Sequence, residues 1–329
     1  MPLRQPPLSR HTVGGEAALT RKAGPGRSTM SDSRTLHWGA EALWQSLDAL
    51  LPGLSVEILA SADSTNTRLL ERARLSSGRR HGPVTTPGQL DAASAPQDTP
   101  TPHGRRNDDT RPCLLVAEVQ TSGRGRQGRV WVSTAGLSLT FSLGLPLHPP
   151  AWAGLSLAVG VALADALDPA AGDSPLRIGL KWPNDLWLMD APGRGRKLGG
   201  VLIETVAVGE RRMAVVGVGL NVRPQPLTQD LSSGFACLQE LWPDIDAPQA
   251  LQRVAAPLAQ ALKTFEREGL APFAAGYRRR DLLLGQPVST TQAGVPEGVA
   301  EGIDEQGALR VRAGELHALV SGDVSVRPA

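Results

Sequence analysis

The sequence predicts an α+β protein in which a mixed β-sheet flanked by helices is followed by a small C-terminal β-barrel. Three observations carry this expectation. Apolar, β-prone runs recur at residues 113–119, 137–145, 186–189, 198–208 and 213–222, bounded by glycine, proline or charged turns. Around them, residues 36–51 and 248–268 space their large apolar side chains at helical intervals, and 151–167 reads as a buried helix with small residues on one side. From Gly285 onward, short β-prone runs are separated by Gly294, Gly302, Gly307 and Gly314, which suits a barrel of about five strands. A chain of 329 residues has material for about two domains. The expected organisation is a disordered extension over 1–35, a main domain over 36–282 with a disordered insertion at 76–112, and the barrel over 283–329.

Taken in order, residues 1–29 carry five Lys or Arg, one Glu and no periodicity, and are expected to be disordered. Trp38, Leu43, Leu47 and Leu50 follow helical spacing until Pro52-Gly53 stops the run, and 54–59 then alternates like a strand. The polar cluster from Ser61 to Thr67 comes immediately before Leu69, Leu70 and Ala73. Its residues are good helix N-caps, but one cap does not need them all, so the remainder could bind a neutral polar ligand. Residues 76–112 contain six prolines, only Val84 and Leu90 as large aliphatics, and no aromatic side chain, too little to order themselves. Strands at 113–119 and 137–145 follow, then a buried helix at 151–167 and a short strand at 177–181. Lys181-Trp-Pro-Asn-Asp185 must turn sharply, because proline fixes its own φ and biases the residue before it. The runs at 186–189, 198–208 and 213–222 read as an antiparallel meander with bends at Gly193-Arg-Gly-Arg-Lys197 and Gly209-Glu210. An amphipathic helix at 248–268 and a short one ending near Leu284 complete the main domain.

Gln120 to Trp131, reading Gln-Thr-Ser-Gly-Arg-Gly-Arg-Gln-Gly-Arg-Val-Trp, concentrates glycine, positive charge and an aromatic in one stretch. Gly123, Gly125 and Gly128 allow close backbone approaches, while Arg124, Arg126 and Arg129 offer planar forks for carboxylate or phosphate oxygens. It is not a phosphate-cradling P-loop, because no Gly-Lys-Ser or Gly-Lys-Thr follows. Nor does it suit a dinucleotide fold: Val130-Trp-Val132 is β-prone and no acidic residue appears before Asp165. A solvated basic turn, or an Arg-Gly segment touching nucleic acid, is the plainer alternative.

The totals exclude several classes. A net charge of +2 does not suggest a polyanion-coating protein. Cys113 and Cys237 alone make no disulfide framework, and the six scattered histidines show no metal-binding spacing. No apolar run reaches the length of a membrane span and no secretory signal core is seen, so a soluble cytoplasmic protein is expected.

Asp63-Ser-Thr-Asn66, the Gly123 to Arg129 loop, Lys181-Trp-Pro-Asn-Asp185, Lys197-Leu-Gly-Gly200, Gly217-Val-Gly-Leu-Asn221, Gly302-Ile-Asp304 and Ser321-Gly-Asp-Val324 occur in this order. In that order they resemble the biotin–protein ligases, from Asp63 to Arg327. The resemblance implies a biotin/lipoate ligase-like catalytic domain with an SH3-like barrel. It also implies formation of biotinyl-5′-adenylate from biotin and ATP, then transfer of biotin to one lysine of a biotin carboxyl carrier protein. Lys197, Lys181, Arg126 and Asp185 would be the catalytic set. Ser64, Thr65, Asn66 and Gln120 would contact the biotin ring, with Arg124, Gly125, Arg126 and Lys197 completing the biotin site. Arg124, Arg126, Arg129, Trp131, Asn184, Asn221 and Phe235 would contact ATP. Mg²⁺ would arrive with ATP, and no protein ligand is assigned to it. Without the resemblance, Lys197 reads as an exposed hairpin lysine, Lys181 to Asp185 as a turn that supports the sheet, and Phe235 as a core aromatic. The N-terminal residues suggest a monofunctional enzyme with no DNA-binding module, and neither DNA nor membrane is an expected partner. The oligomeric state, a homodimer included, is not fixed by the sequence. The nearest rival is a lipoate ligase or octanoyltransferase of the same fold, against which the arginine-rich loop and the barrel tail stand.

Overall fold

A computed structural model of the chain describes residues 36–79, 110–170, 175–225, 233–320 and 326–328. The expected disorder of 1–35, most of the insertion at 76–112, and Ser321-Gly-Asp-Val324 lie outside them. Leu36–Ala329 form one compact unit built on two sheets.

The larger sheet has seven strands in the order β1-β2-β3-β7-β6-β5-β4. The chain enters it through α1 (Ala40–Asp48), β1 (Ser55–Ala62), α2 (Thr65–Arg79) and β2 (Cys113–Gln120). β1 and β2 pair in parallel, so α2 is a crossover helix and must cover one face of the sheet. β3 (Ser138–Pro146), α3 (Leu155–Leu167), β4 (Ile178–Lys181), β5 (Asp185–Ala191), β6 (Arg194–Val208) and β7 (Arg211–Asn221) follow. β5 to β7 form the expected antiparallel meander, the short strand β4 extends it by pairing antiparallel with β5, and β3 joins it along β7. α4 (Ala247–Glu268) and α5 (Ala274–Arg280) then lead to the smaller sheet. That sheet comprises β8 (Pro287–Thr290), β9 (Glu297–Ile303), β10 (Leu309–Ala313), β11 (Glu315–Leu319) and β12 (Val326–Pro328), in the order β11-β10-β9-β8-β12.

Three boundaries depart from the sequence reading. α2 continues to Arg79, so the first residues of the predicted insertion are helical. β1 runs on to Ala62, which takes Ser61 and Ala62 out of the polar cluster and into the sheet. The predicted bend at Gly193 to Lys197 is almost all strand: β6 already starts at Arg194 and pairs with β5, placing Lys197 opposite Trp187. Glycine, arginine and lysine together resemble a turn in composition, yet cross-strand pairing overrides that preference.

The two faces of the larger sheet differ in what covers them. Ala214, Val216, Val218 and Leu220 of β7 point into the main core, with α1, α3 and α4. α3 is apolar almost all round and sits between sheet and α4, as a helix buried on both sides must be. On the opposite face Val215 packs with Leu69, Leu70, Cys113 and Leu115, beneath α2. Arg72 of α2 clamps Glu57 of β1 with two bonds, at 2.8 and 3.0 Å. Further along this face Gly217 and Gly219 take the positions where core side chains would stand, and the Asn66 side chain and the Trp131 ring lie over them beside the N-terminus of α2.

Candidate active site

The floor of the candidate site is formed by two glycines, Gly217 and Gly219, that cannot carry side chains. Gly217 lies directly between Ser142 of β3 and Leu202 of β6. A Cβ there would fall 2.3 Å from Asn66 Oδ1. Gly219 lies between Thr140 and Gly200, and a Cβ there would fall 2.5 Å from the Trp131 ring. The two positions therefore admit Asn66 and Trp131 to the floor.

One end of the site is built from neutral polar side chains, with the Glu204 carboxylate bonded to one of them. Ser64, Thr65 and Asn66 are each 3% exposed. Ser64 caps α2, its Oγ accepting the Thr67 N–H at 3.4 Å. Gln120 Oε1 accepts the Thr65 N–H at 2.8 Å. Asn66 Nδ2 donates to the Leu202 carbonyl (3.1 Å) and to Glu204 Oε2 (2.9 Å), both acceptors only. The Asn66 amide is thereby oriented, and its Oδ1 must take the Ser142 hydroxyl proton across 2.6 Å. The Thr65 hydroxyl lies 2.6 Å from the Ser142 oxygen and 3.2 Å from Gln120 Oε1; with the Ser142 proton committed to Asn66, Thr65 gives its one proton to either neighbour and its Oγ1 keeps an open lone pair. Ser142 and Glu204 were not singled out from sequence. A serine in an apolar strand reads as an ordinary tolerated polar residue, and Glu204 meets Asn66 only because α2 crosses β6.

The other end carries charge. Lys197 Nζ donates to Asp185 Oδ1 at 2.8 Å, with side chains 28% and 15% exposed. Asn184 is held by its Nδ2 on the Val201 carbonyl (2.8 Å), and its Oδ1 accepts Arg126 Nη1 at 3.3 Å. Lys181 Nζ stands over the Trp187 ring, 5.5 Å from its centroid. The structure thus brings Lys197, Asp185, Asn184 and Arg126 together, with Lys181 near Trp187 on the adjoining strand.

The arginine–glycine loop folds back on itself between these ends. Trp131 N–H bonds to the Gly123 carbonyl (2.9 Å) and Gly125 N–H to the Arg129 carbonyl (2.7 Å), around a short 3-10 turn at Arg126–Gly128. Gly123 is required because a Cβ would lie 2.3 Å from the Trp131 carbonyl oxygen, and Gly128 because its φ is +71°. Arg124 points to Glu204 Oε1 (2.6 Å) and Thr67 Oγ1 (3.2 Å). Arg129 is exposed on the returning arm. The Trp131 indole N–H is buried against Gly219 and has no hydrogen-bond partner.

Phe235 is half-buried and forms a bridge with Lys197. Asn221, 6% exposed, donates through Nδ2 to the carbonyls of Lys197 (3.3 Å) and Ala236 (3.0 Å), strapping that segment to β6. Arg196 braces it further, bonding the Phe235 carbonyl (3.0 Å), Asp190 (2.9 Å) and Glu240 (2.8 Å). The hydrogen bond from Arg196 holds the Asp190 carboxyl below its ordinary range, and the bonds to Asp190 and Glu240 push the Arg196 guanidinium up. Among the described residues no group of three or more His, Cys, Asp or Glu could hold a metal ion.

Residues 102–221 match the Biotin/lipoate A/B protein ligase family, and residues 283–327 the Biotin protein ligase C terminal domain. The chain is 32% identical over 286 residues to the bifunctional ligase/repressor BirA of Escherichia coli (strain K12), covering 85% of this chain and 76% of that protein. It is 36% identical over 220 residues to the biotin–[acetyl-CoA-carboxylase] ligase of Mycobacterium tuberculosis, covering 64% of this chain and 77% of the other. The solved biotin protein ligase from Aquifex aeolicus in complex with biotin and ATP superposes with a TM-score of 0.58 and 25% identity, covering 83% of this chain and 99% of that one. With a glycine floor running between a cluster of buried neutral polar side chains and a cationic pole, on this fold and at this similarity, the chain belongs to the biotin protein ligase family.

Proposed function

We propose that this protein joins biotin to ATP as biotinyl-5′-adenylate and passes the biotinyl group to one lysine of a biotin carboxyl carrier protein. The observation that carries the reading is the pairing, along one floor, of a buried neutral pocket with a lysine and an arginine. A cyclic urea presents one carbonyl and two N–H groups. Thr65 Oγ1 offers it an acceptor, while the Ser64 hydroxyl, whose oxygen already accepts the Thr67 N–H, keeps its proton to donate. An analogue without the urea would leave such groups unpaired, which is the strongest form of selectivity.

In the first step a biotin carboxylate oxygen attacks the α-phosphorus of ATP and pyrophosphate leaves. Both reactants are anionic, so the site must neutralise them and the charge that develops between them. Lys197 supplies a compact cation and Arg126 a planar fork, held in place by Asp185 and Asn184. Lys181 stands beside this pole. Trp131, Asn221 and Phe235 line the part of the floor assigned to the nucleotide, and Arg124, Gly125 and Arg129 belong to the loop that closes above it. Mg²⁺ entering with ATP would keep phosphate and water as its ligands. In the second step the carrier lysine, whose free ammonium has a pKa of about 10.4, must lose a proton before its nitrogen attacks the acyl carbon and AMP leaves. Asp185, released from Lys197 as the anions arrive, is positioned to take it.

Three finer points belong to the same reading. The organisation is a ligase domain over 36–282 and a barrel over 283–329. The activity proposed is ligation alone; specific binding to a DNA operator would overturn this. The cytoplasm is the proposed location, since both cysteines are free and buried, and no helix among the described residues is long and apolar enough to cross a membrane. The experiment for the main reading is ATP–pyrophosphate exchange: it should require biotin and ignore lipoate. Exchange that depends on lipoate, or none with biotin, would overturn it.

A further inference from the structure

Resting on the ligase reading, the geometry points to Glu204 as a positioning residue of the same reaction: it fastens the arginine–glycine loop across the ring pocket and sets how long the acyl-adenylate is retained. Glu204 divides its two oxygens between different elements. Oε1 accepts Arg124 Nη2 of the loop at 2.6 Å, and Oε2 accepts Asn66 Nδ2 of α2 at 2.9 Å. Arg124 Nη1 reaches a second anchor, Thr67 Oγ1, at 3.2 Å. The loop is thus tied to β6 and α2 by Arg124, and to the Lys181–Asp185 turn by Arg126.

An exposed ion pair holds little, because both partners swing away at no cost. Here Arg124 is 46% exposed but Glu204 only 23%, and Glu204 cannot turn aside without leaving an N–H of buried Asn66 unpaired. The carboxylate is therefore fixed before the loop arrives, and the loop spends little entropy in finding it. Glutamine at this position has a single acceptor oxygen and no charge, so it can serve Asn66 or Arg124 but not both. Loosening this clasp acts on the exit of the mixed anhydride, because truncating one member of a fixed charge pair appears chiefly in the dissociation rate.

The test uses the full chain and its Glu204→Gln variant. Formation is read as biotin-dependent ATP–pyrophosphate exchange at saturating substrates. Retention is read as the half-life of bound radiolabelled adenylate after a chase, and as labelling of bystander serum albumin. Retention should shorten by about fivefold or more, beyond any change in formation, and bystander labelling should rise. Adding Arg124→Gln should cost no more retention than Thr67→Val costs alone, because Arg124 holds both anchors and its bond to Glu204 is already open. Thr67→Val, which removes only the second anchor, should shift retention the same way and covers the case of a poorly folding Glu204→Gln. Parent-like retention in Glu204→Gln and Thr67→Val, or formation and retention falling in proportion, would overturn the assignment. Trypsin cleavage in the loop, faster in Glu204→Gln, reads the clasp without any reaction. Absent exchange in the parent would therefore sink the ligase reading alone.

Discussion

Gly217→Ala places a methyl group where the structure has no room for it. The new Cβ would lie 2.3 Å from Asn66 Oδ1, and ordinary contact begins near 3.4 Å, so the amide must retreat by about 1 Å. Asn66 is held by Ser142 at 2.6 Å, Glu204 at 2.9 Å and the Leu202 carbonyl at 3.1 Å, and a shift of this size breaks at least two of these bonds. At about 1 kcal/mol net for each hydrogen bond, the loss is about 2 kcal/mol. Felt at the ring pocket, 2 kcal/mol raises the KM for biotin roughly 30-fold. The nucleotide end is built on other residues, so the KM for ATP should change by less than about threefold, as for sites with no shared partners. Pyrophosphate exchange titrated separately with biotin and with ATP measures both. A biotin KM within twofold of the parent would refute the reasoning, as would equal rises for the two substrates.

Other outcomes follow from the same geometry. Asp185→Asn preserves a hydrogen bond to Lys197 but removes the proton acceptor, so transfer from preformed adenylate to the carrier should fall by about 10²-fold or more; unchanged single-turnover transfer would exclude the base role. Arg196→Ala frees the Phe235 segment from its brace and should raise the KM for ATP more than that for biotin in the exchange assay. Asp281 concerns stability: burial pushes its carboxyl up to about 6 from the ordinary 3.8, against the lowering effect of the Leu283 and Leu284 N–H groups. Its Oδ2 is buried without a partner, and its charge helps burial to raise the Tyr277 hydroxyl. A raised carboxyl pKa means that the folded state holds the proton more tightly. Stability is therefore fullest below the unfolded value and is lost as pH rises through about 6, by up to about 3 kcal/mol. Asp281→Asn should raise the thermal midpoint at pH 7.5 and flatten its slope between pH 4 and 6; a parent-like slope would count against this.

Much of the fold was legible because periodicity reports burial. The apolar runs of β2, β3, β6 and β7, the near-continuous apolar run of α3 and the helical spacing of α4 follow directly from which faces meet the core. Short glycine-punctuated runs likewise foretold the five-stranded tail. Local composition misled at Lys197, where the actual bend is confined to residues 192–193 and the lysine is held in register by β5. Motif resemblance named Gly217 and Gly219, but the reason for them is tertiary. Each is a glycine because a side chain from another element, Asn66 or Trp131, occupies the space above it. Ser142 and Glu204 carry no local signal at all, since their partners are 76 and 138 residues away in sequence.

The Lys181–Asp185 turn holds on to the tail as well as to the sheet. Trp182, 1% exposed, sends its indole N–H at 3.1 Å to the carbonyl of Gly307, in the turn between β9 and β10, and Gly307 itself nestles against Leu157 and Leu270. Two residues on, Asn184 receives Arg126. The C-terminal module is therefore an abutment for the chemistry: cutting it away would leave every reacting group in the chain, yet remove the wall against which the turn that presents them is braced.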